Sequence, residues 1–543
     1  MATSTSSSAC VCFPDAPYTQ WAALRAAQDI LAPQGWTVID GCPAPSSSSS
    51  SSSPTPSASS ATIPEVPTGQ SLYLADYDLL PFEDLLPGSG SSAAQCSSYV
   101  IRKALIRKHY LASALHAFRV KRRGADAEAG SVDEDPTPRT WAFEIQFADE
   151  LDELLVDDLY DLAQILDANA RILDERGDAD ADAEDVQWFI LKPGMADRGN
   201  GIRLFATAQQ LLEIFEEFEP DSDDEDDDEE AADDGDEREV GYAGKDTSVL
   251  TSQLRHFVVQ EYLSSPLLLD PPSTPDLDGA LSSLSLSASP PSPPGAGRKF
   301  HLRAYVLCVG SLRVYLHDSM LALFAPLPYV RPTRETMTDL RPHLTNTCLQ
   351  SDGSLAMGDA GRPKEENVWL WDDLVGCPIG DGGAPTTARR RLTEEDVRSV
   401  KAKAVRVIGT SFEACAKAGA VHWQMWPNSF EIFGVDLLVE HRPAVPGAQR
   451  GAHDAMDVKL LEINAQPDFA QTGKRLSATI DHLFRRTLQI AVLPFHRARA
   501  QQTSSAAAST TASHENDDDE GWNVGESRDG TTLCFRQSLQ KAW

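Results

Sequence analysis

Residues 188–205 read Trp-Phe-Ile-Leu-Lys-Pro-Gly-Met-Ala-Asp-Arg-Gly-Asn-Gly-Ile-Arg-Leu-Phe. The apolar run 188–191 ends in a single lysine, Lys192. Gly194, Gly199 and Gly201 follow, mixed with Asp197, Arg198 and Asn200, and a second largely apolar run closes the stretch at 202–205. This pattern predicts strand, glycine-rich loop, strand. Glycine lacks a Cβ and takes left-handed backbone angles freely, so such a loop can lay its N–H groups against phosphate oxygens. The stretch has no Gly-Lys-Ser/Thr ending of a Walker A loop, and no helix opens straight after its glycines as a dinucleotide fingerprint requires. Alone it fits a plain hairpin turn equally well, and the rest of the chain has to decide.

Working outward, 543 residues leave room for two to four domains and a buried core. The net charge of −35 opposes nonspecific nucleic-acid binding, which needs cations to neutralise phosphates, and opposes docking on an anionic membrane. Nine scattered cysteines show no zinc spacing, and Cys10 and Cys12 lie in a weakly patterned N-terminus, so free thiols of a reducing compartment are expected. No apolar stretch is long enough to span a bilayer; the best, from Ala304 to Leu316, is broken by Arg313. The start is Ser/Thr-rich without the basic and apolar regions of a secretory signal. These features predict a cytoplasmic protein with no membrane partner and no direct contact with nucleic acid.

Segment by segment, residues 1–42 carry a little apolar content and predict a small N-terminal segment able to form a helix and a strand. Residues 43–69 are a Ser/Pro tract read as a disordered linker. Pattern returns over 70–497, divided into an N-terminal lobe to 185 and further lobes from 186. The run from Tyr99 to Leu111 predicts one basic helix, either a solvated face or a cationic surface turned towards phosphate or an acidic partner. Within 141–185 an acidic helix is expected, with Leu151, Leu154, Leu155, Leu159 and Leu162 as its stripe. Two insertions, 219–247 and 270–298, read as disordered; the first holds an almost unbroken Asp/Glu block, either a solvated insertion or a mimic of an acidic partner. Thr393 with Asp396 marks the start of a long helix. The tail 498–543 is expected to be mostly disordered, with the extreme C-terminus as the exception left open.

The chemistry lies in three strands. From Lys299 the alternation Lys-Phe-His-Leu-Arg-Ala puts Lys299, His301 and Arg303 on one face. Asp436 interrupts the apolar run Ile-Phe-Gly-Val-Asp-Leu-Leu-Val, and Glu462 and Asn464 stand two apart on another strand, so both project from one face. A buried carboxylate needs a partner or a metal. Asp436, Glu462 and Asn464 offer hard oxygens, which suit Mg²⁺. Lys103, Lys192, Lys299 and Arg303 supply the cations that phosphate chemistry needs beside such an ion.

In this order the motifs resemble the tubulin–tyrosine ligase family of the ATP-grasp superfamily. They are Lys192 with Gly199-Asn200-Gly201-Ile202, Val-Val-Gln-Glu-Tyr-Leu at 258–263, Lys-Phe-His-Leu-Arg from Lys299, His-Leu-Thr-Asn at 343–346, and the two strands bearing Asp436 and Glu462. The ending Asn-Ala-Gln-Pro-Asp-Phe-Ala-Gln-Thr-Gly at 464–473 looks most like the fungal branch associated with P-bodies. The resemblance covers about 98–490 and implies an α+β ATP-grasp fold, with two lobes whose antiparallel sheets sandwich ATP. It implies that Lys103, Lys192, Gly199, Gly201, Ile202, Gln260, Tyr262, Leu263, Lys299, Thr345 and Asn346 bind ATP. Asp436, Glu462 and Asn464 would hold magnesium, and Lys299, Arg303 and Glu462 would serve catalysis.

The implied reaction turns a protein carboxylate into an acylphosphate at the expense of ATP and joins it to an amino acid. Tyrosine on the tubulin tail is the leading pair. Two departures loosen that choice: His301 stands where the family has aspartate, and His317-Asp318-Ser319 follows Tyr315-Leu316 where tyrosine ligase has Tyr-Arg-Glu. A tubulin or protein glutamylase or glycylase therefore stays open, as does a nucleotide-binding P-body adaptor with little turnover. Microtubules and P-bodies are the matching addresses in the cytoplasm.

Overall fold

The protein is described here by a computed structural model covering residues 7–42, 70–86, 94–125, 135–176, 185–195, 199–219, 255–271, 297–345, 367–380, 390–441, 456–505 and 521–537. The tract 43–69 and nearly all of both expected insertions lie outside the described residues.

Strand β1 (Ser7–Cys12), helix α1 (Pro17–Ile30), β2 (Thr37–Asp40), β3 (Gln70–Ala75), α2 (Phe82–Leu85) and β4 (Ala94–Cys96) form the N-terminal unit. Its sheet runs β2-β1-β3-β4, with every pair parallel. Helix α1 opens on Pro17, where a missing N–H leaves no bond unmade, and lays Ala22, Ala23, Ala26 and Ala27 into the core. Within this sheet β1 lies between β2 and β3. Ala9 and Val11 share one core with Leu72 and Leu74, a burial that neither side of the Ser/Pro tract achieves alone.

The basic run then departs from the single helix its periodicity predicts. It forms α3 (Lys103–Ile106) and α4 (Lys108–Ala125), with Arg107 extended between them at φ −92°, ψ 118°. Ile101 is held in a bridge to Gln424, and Arg102 is buried against Glu431, Nε to Oε1 at 2.9 Å. These anchors fix the approach of the chain and force the break.

The small sheet comprises β5 (Thr140–Glu144), α5 (Leu151–Val156), α6 (Tyr160–Arg176), β6 (Phe189–Pro193), β7 (Arg203–Phe205), α7 (Ala208–Phe218) and β8 (His256–Glu261). Its order is β5-β8-β6-β7, all antiparallel. Because β5 pairs with β8, residues from 140 belong with the glycine loop rather than with an N-terminal lobe reaching 185. The expected acidic helix is broken after Val156, where Asp157 turns to φ −114°, ψ −92°. Thr207 and Gln210 close a reciprocal cap on α7, whose Leu211, Ile214, Phe215 and Phe218 pack under the sheet.

The large sheet is built on a twelve-residue strand. Its elements are β9 (Leu268–Leu269), β10 (Arg298–Val309), β11 (Arg313–His317), β12 (Leu321–Phe324), β13 (Val368–Leu370), helix α8 (Glu394–Ala418), β14 (Phe430–His441) and β15 (Met456–Ala465). Helices α9 (Ser477–Thr487) and α10 (Leu493–Ser505) and strands β16 (Ser527–Arg528) and β17 (Thr531–Arg536) complete it. β10 pairs antiparallel with β11 and β12, and also with β14, which carries β15. Alternation sends Phe300, Leu302, Ala304, Val306 and Cys308 into the core beneath α8. On the opposite face Tyr305, Leu307 and Val309 pack into a second core, and Lys299, His301 and Arg303 are left for chemistry. Near the end of the tail β17 pairs with β11 and is covered on both faces, Leu533 lying in one core and Cys534 in another.

Candidate active site

A cleft of about 820 Å³, counting its open mouth, lies between the small and large sheets. Ile190, Lys192 and Gln260 reach it from β6 and β8, and Tyr262 and Leu263 from the segment beyond. Lys299, His301, Asp436 and Glu462 reach it from β10, β14 and β15, and His343, Leu344 and Thr345 from a loop. Gly199, Asn200 and Ile202 border it from the β6–β7 turn.

That turn needs its glycines. Gly199 has φ +84° and Gly201 φ +68°, both in the left-handed region. Gly194 is needed for space: a Cβ there would stand 2.6 Å from His109 Nδ1 and 2.9 Å from the His256 carbonyl oxygen. The Gly194 N–H donates to His256 O at 2.7 Å, and the Lys108 N–H donates to Gly194 O at 3.3 Å. The root of the loop is thus clamped between β8 and the start of α4.

Two lysines are buried in the cleft. Lys192 Nζ donates to Gln260 Oε1 at 2.9 Å, and Gln260 Nε2 donates to Thr140 Oγ1 at 3.1 Å. Lys299 Nζ donates to the Tyr262 hydroxyl at 3.2 Å and lies 4.3 Å from that ring's centroid. The same hydroxyl meets His343 Nδ1 at 2.8 Å. Burial pushes the Lys192 amine down to about 8, against a smaller upward pull from Glu462. Burial and then the charge of Lys192 push Lys299 down to about 7. Burial and then Lys299 push His343 down to about 3, so its ring is neutral.

Asp436 and Glu462 face each other across the β14–β15 ladder, and Arg303 faces Asp436 across β10–β14. Arg303 clamps that carboxylate through Nε at 2.5 Å and Nη2 at 3.0 Å, and His301 Nε2 lies 3.4 Å from it. Lys108 Nζ stands 3.4 Å from Glu462 Oε2. Asn464 Nδ2 bridges the pair, 3.3 Å from Asp436 Oδ2 and 3.4 Å from Glu462 Oε1. Burial pushes the Asp436 carboxyl up, but Arg303 and His301 outweigh it and hold it well below the usual range. For Glu462 burial likewise opposes Lys108 and Lys192, and the cations prevail. Both are anionic at neutral pH. Among the described residues no three His, Cys, Asp or Glu gather as a metal group. The set is instead two facing carboxylates and an amide. It fits Mg²⁺, which takes few protein oxygens and keeps places for water and phosphate, once Asn464 turns its oxygen inward.

The structure therefore brings Lys192, Gly199, Ile202, Gln260, Tyr262, Leu263, Lys299, Thr345, Asp436 and Glu462 onto one cleft. Arg303 and Asn464 are bonded to its carboxylates, and Gly201 completes its turn. Lys103 is not among the lining residues; Lys108 is, because the break at Arg107 starts a new helix there. Asn346 lies outside the described residues. Besides Lys108, Thr140, which positions Gln260, went unnamed in the sequence, and His343 stood in a motif without its role of positioning Tyr262. His301 was placed on the correct face without a role; its Nδ1 meets Thr345 Oγ1 at 2.5 Å.

Residues 154–500 match the model of the tubulin–tyrosine ligase family. A probable tubulin–tyrosine ligase of Schizosaccharomyces pombe is 33% identical over 430 residues, covering 79% of this chain and 84% of that protein. The probable tubulin–tyrosine ligase PBY1 of Saccharomyces cerevisiae is 31% identical over 455 residues, 83% of this chain and 49% of its own length. The chain therefore spans about half of that relative. Among solved structures, the C-terminal domain of K. lactis Pby1 superposes with a TM-score of 0.51 at 25% identity, covering 90% of this chain and 94% of that one. It is described as an ATP-grasp enzyme interacting with the mRNA decapping enzyme Dcp2. With an α+β ATP-grasp fold around this cleft and a family match over most of its length, the chain belongs to the tubulin–tyrosine ligase family.

Proposed function

We propose that the protein is an ATP- and Mg²⁺-dependent ligase that joins an amino acid to a protein carboxylate, with tyrosine and the tubulin tail as the leading pair. One observation carries this reading. Two buried lysines and a facing pair of ionised carboxylates share a single cleft with a glycine turn. Such a site suits a polyphosphate better than a neutral ligand, since each charge finds its opposite.

In this reading Tyr262, Leu263 and Gln260 seat the base, Lys192 and Lys299 neutralise phosphate oxygens, and the turn at Gly199 and Gly201 covers them. Asp436, Glu462 and Asn464 would hold the metal, which would supply positive charge against the phosphates. The acceptor carboxylate oxygen attacks the γ-phosphorus, and ADP leaves. Arg303 supports the charge that develops there. The amine of the incoming amino acid then attacks the acyl carbon, and phosphate departs with the acceptor oxygen. The chain contributes alignment and fixed charge rather than a covalent nucleophile.

The test is incubation of purified protein with Mg-ATP, detyrosinated tubulin and each candidate amino acid, read by mass spectrometry. Tyrosine incorporation that is lost in Glu462→Gln supports the proposal, and glutamate or glycine incorporation moves it to a sister ligase. ATP binding with no incorporation favours a second reading, a nucleotide-dependent partner of a decapping enzyme at P-bodies. That reading is prompted by the interaction described for the K. lactis domain.

A further inference from the structure

The two facing carboxylates each already hold a cation of this chain: Arg303 on Asp436 and Lys108 on Glu462. With Lys192 also acting on Glu462, the two carboxylates of this cluster carry no unmet negative charge before any ligand arrives. A divalent ion entering by itself must either add charge to that cluster or drive a cation off it into a partly desolvated cleft, and both are unfavourable. A nucleotide entering by itself meets Lys192 and Lys299 on neutral partners, but finds Lys108 engaged on Glu462.

The two cations are not equivalent. Arg303 grips Asp436 through two parallel bonds from the neighbouring strand, a geometry that resists exchange. Lys108 is a flexible stem with a point charge, and its 3.4 Å approach to Glu462 is loose. It lines the same cleft as Lys192 and Gly199, so the phosphate position is within its sweep. Its own N–H binds Gly194 O, which fixes the stem's base while the ammonium moves.

We infer that Lys108 is an exchangeable counterion: it neutralises Glu462 in the empty site and passes to the nucleotide phosphates when the metal takes that carboxylate. Metal and nucleotide then bind as a pair, each freeing the partner the other needs. This rests on the ATP–magnesium reading of the cleft and adds to it a role for a residue outside the expected set.

The experiment uses the full chain, Mn²⁺ as metal probe followed by the paramagnetic resonance signal of the free ion, and the non-hydrolysable analogue AMP-PNP. In the wild type, AMP-PNP is expected to tighten Mn²⁺ binding on the order of tenfold or more. In Lys108→Met, Mn²⁺ alone should bind more tightly, on the order of tenfold, and the gain from AMP-PNP should shrink towards none. Lys108→Arg should keep the coupling. A merely structural lesion weakens both ligands and cannot tighten the metal, so the opposed signs are the signature. Unchanged or weaker Mn²⁺ binding in Lys108→Met, with the wild-type coupling intact, overturns the exchange alone. A wild type that binds no AMP-PNP at any Mn²⁺ concentration overturns the reading of the cleft, and the exchange with it.

Discussion

Lys299 and Lys192 give the site a pH signature. Their folded-state values of about 7 and about 8 lie below the ordinary lysine value because burial disfavours the ammonium. A bound polyphosphate favours the charged form, so nucleotide binding above pH 7 has to draw protons onto both amines. Nucleotide affinity is therefore expected to fall as pH rises through 7–8, by at most roughly tenfold per pH unit for each lysine. Calorimetry in buffers of different ionisation enthalpy should show proton uptake at pH 8.5; none would contradict the placement of these amines. At the root of the loop, Gly194→Ala drives a Cβ against His109 and the His256 carbonyl. An overpacking cost of about 1–3 kcal/mol is expected, read as a lower Tm together with weaker nucleotide binding. An unchanged Tm would mean that the clamp gives way easily. At this scale Lys192, Asp436 and Glu462 were legible because a polar residue inside an apolar strand needs a reason to be there. Lys108 was not: in a continuous helix it is one more charge in a basic run, and only the break at Arg107 turns it inward.

Among the elements, the C-terminal hairpin of β16 and β17 lies where the sequence left order open but gave no strand. The Asp/Ser-rich stretch before it masked a six-residue strand, and its partner β11 lies more than two hundred residues earlier, beyond the reach of local pattern. β17 packs tightly: a Cβ on Gly409 of α8 would stand 2.6 Å from the Cys534 carbonyl oxygen. Asp318, at the end of β11, accepts from Thr532 Oγ1 at 2.6 Å and also from Ser527 Oγ. Removing this strand uncovers the β11 edge and the core around Leu533. Leu533→Ala is expected to cost about 2–5 kcal/mol, and truncation after residue 520 should give a chain that aggregates or unfolds well below the full chain's Tm. Equal thermal unfolding of the two chains would contradict a structural role for β17. Helix α8, by contrast, was legible to its first residue, since Thr393 and Asp396 cap each other as their spacing requires.

At the scale of the whole molecule, strands were readable wherever hydrophobic period and motif order coincided, across the small sheet's β6 and β8 and the large sheet's β10, β14 and β15. The joining of β1 to β3 was not, because parallel pairing across a low-complexity tract leaves no local mark. It has a direct consequence. Proteolysis within 43–69 should yield two pieces that stay together through gel filtration, held by β1–β3 and by α1 against α9. Release of the 1–42 piece would show that the sheet does not bind them. The central claim is that the two sheets bring ATP to a protein carboxylate and form an acylphosphate between them. Its most direct test is transfer of oxygen. With ¹⁸O in the acceptor carboxylate, Mg-ATP and amino acid, one labelled oxygen is expected in the released inorganic phosphate, with ADP as the nucleotide product. Product formed with unlabelled phosphate, or with the label in AMP, would contradict it.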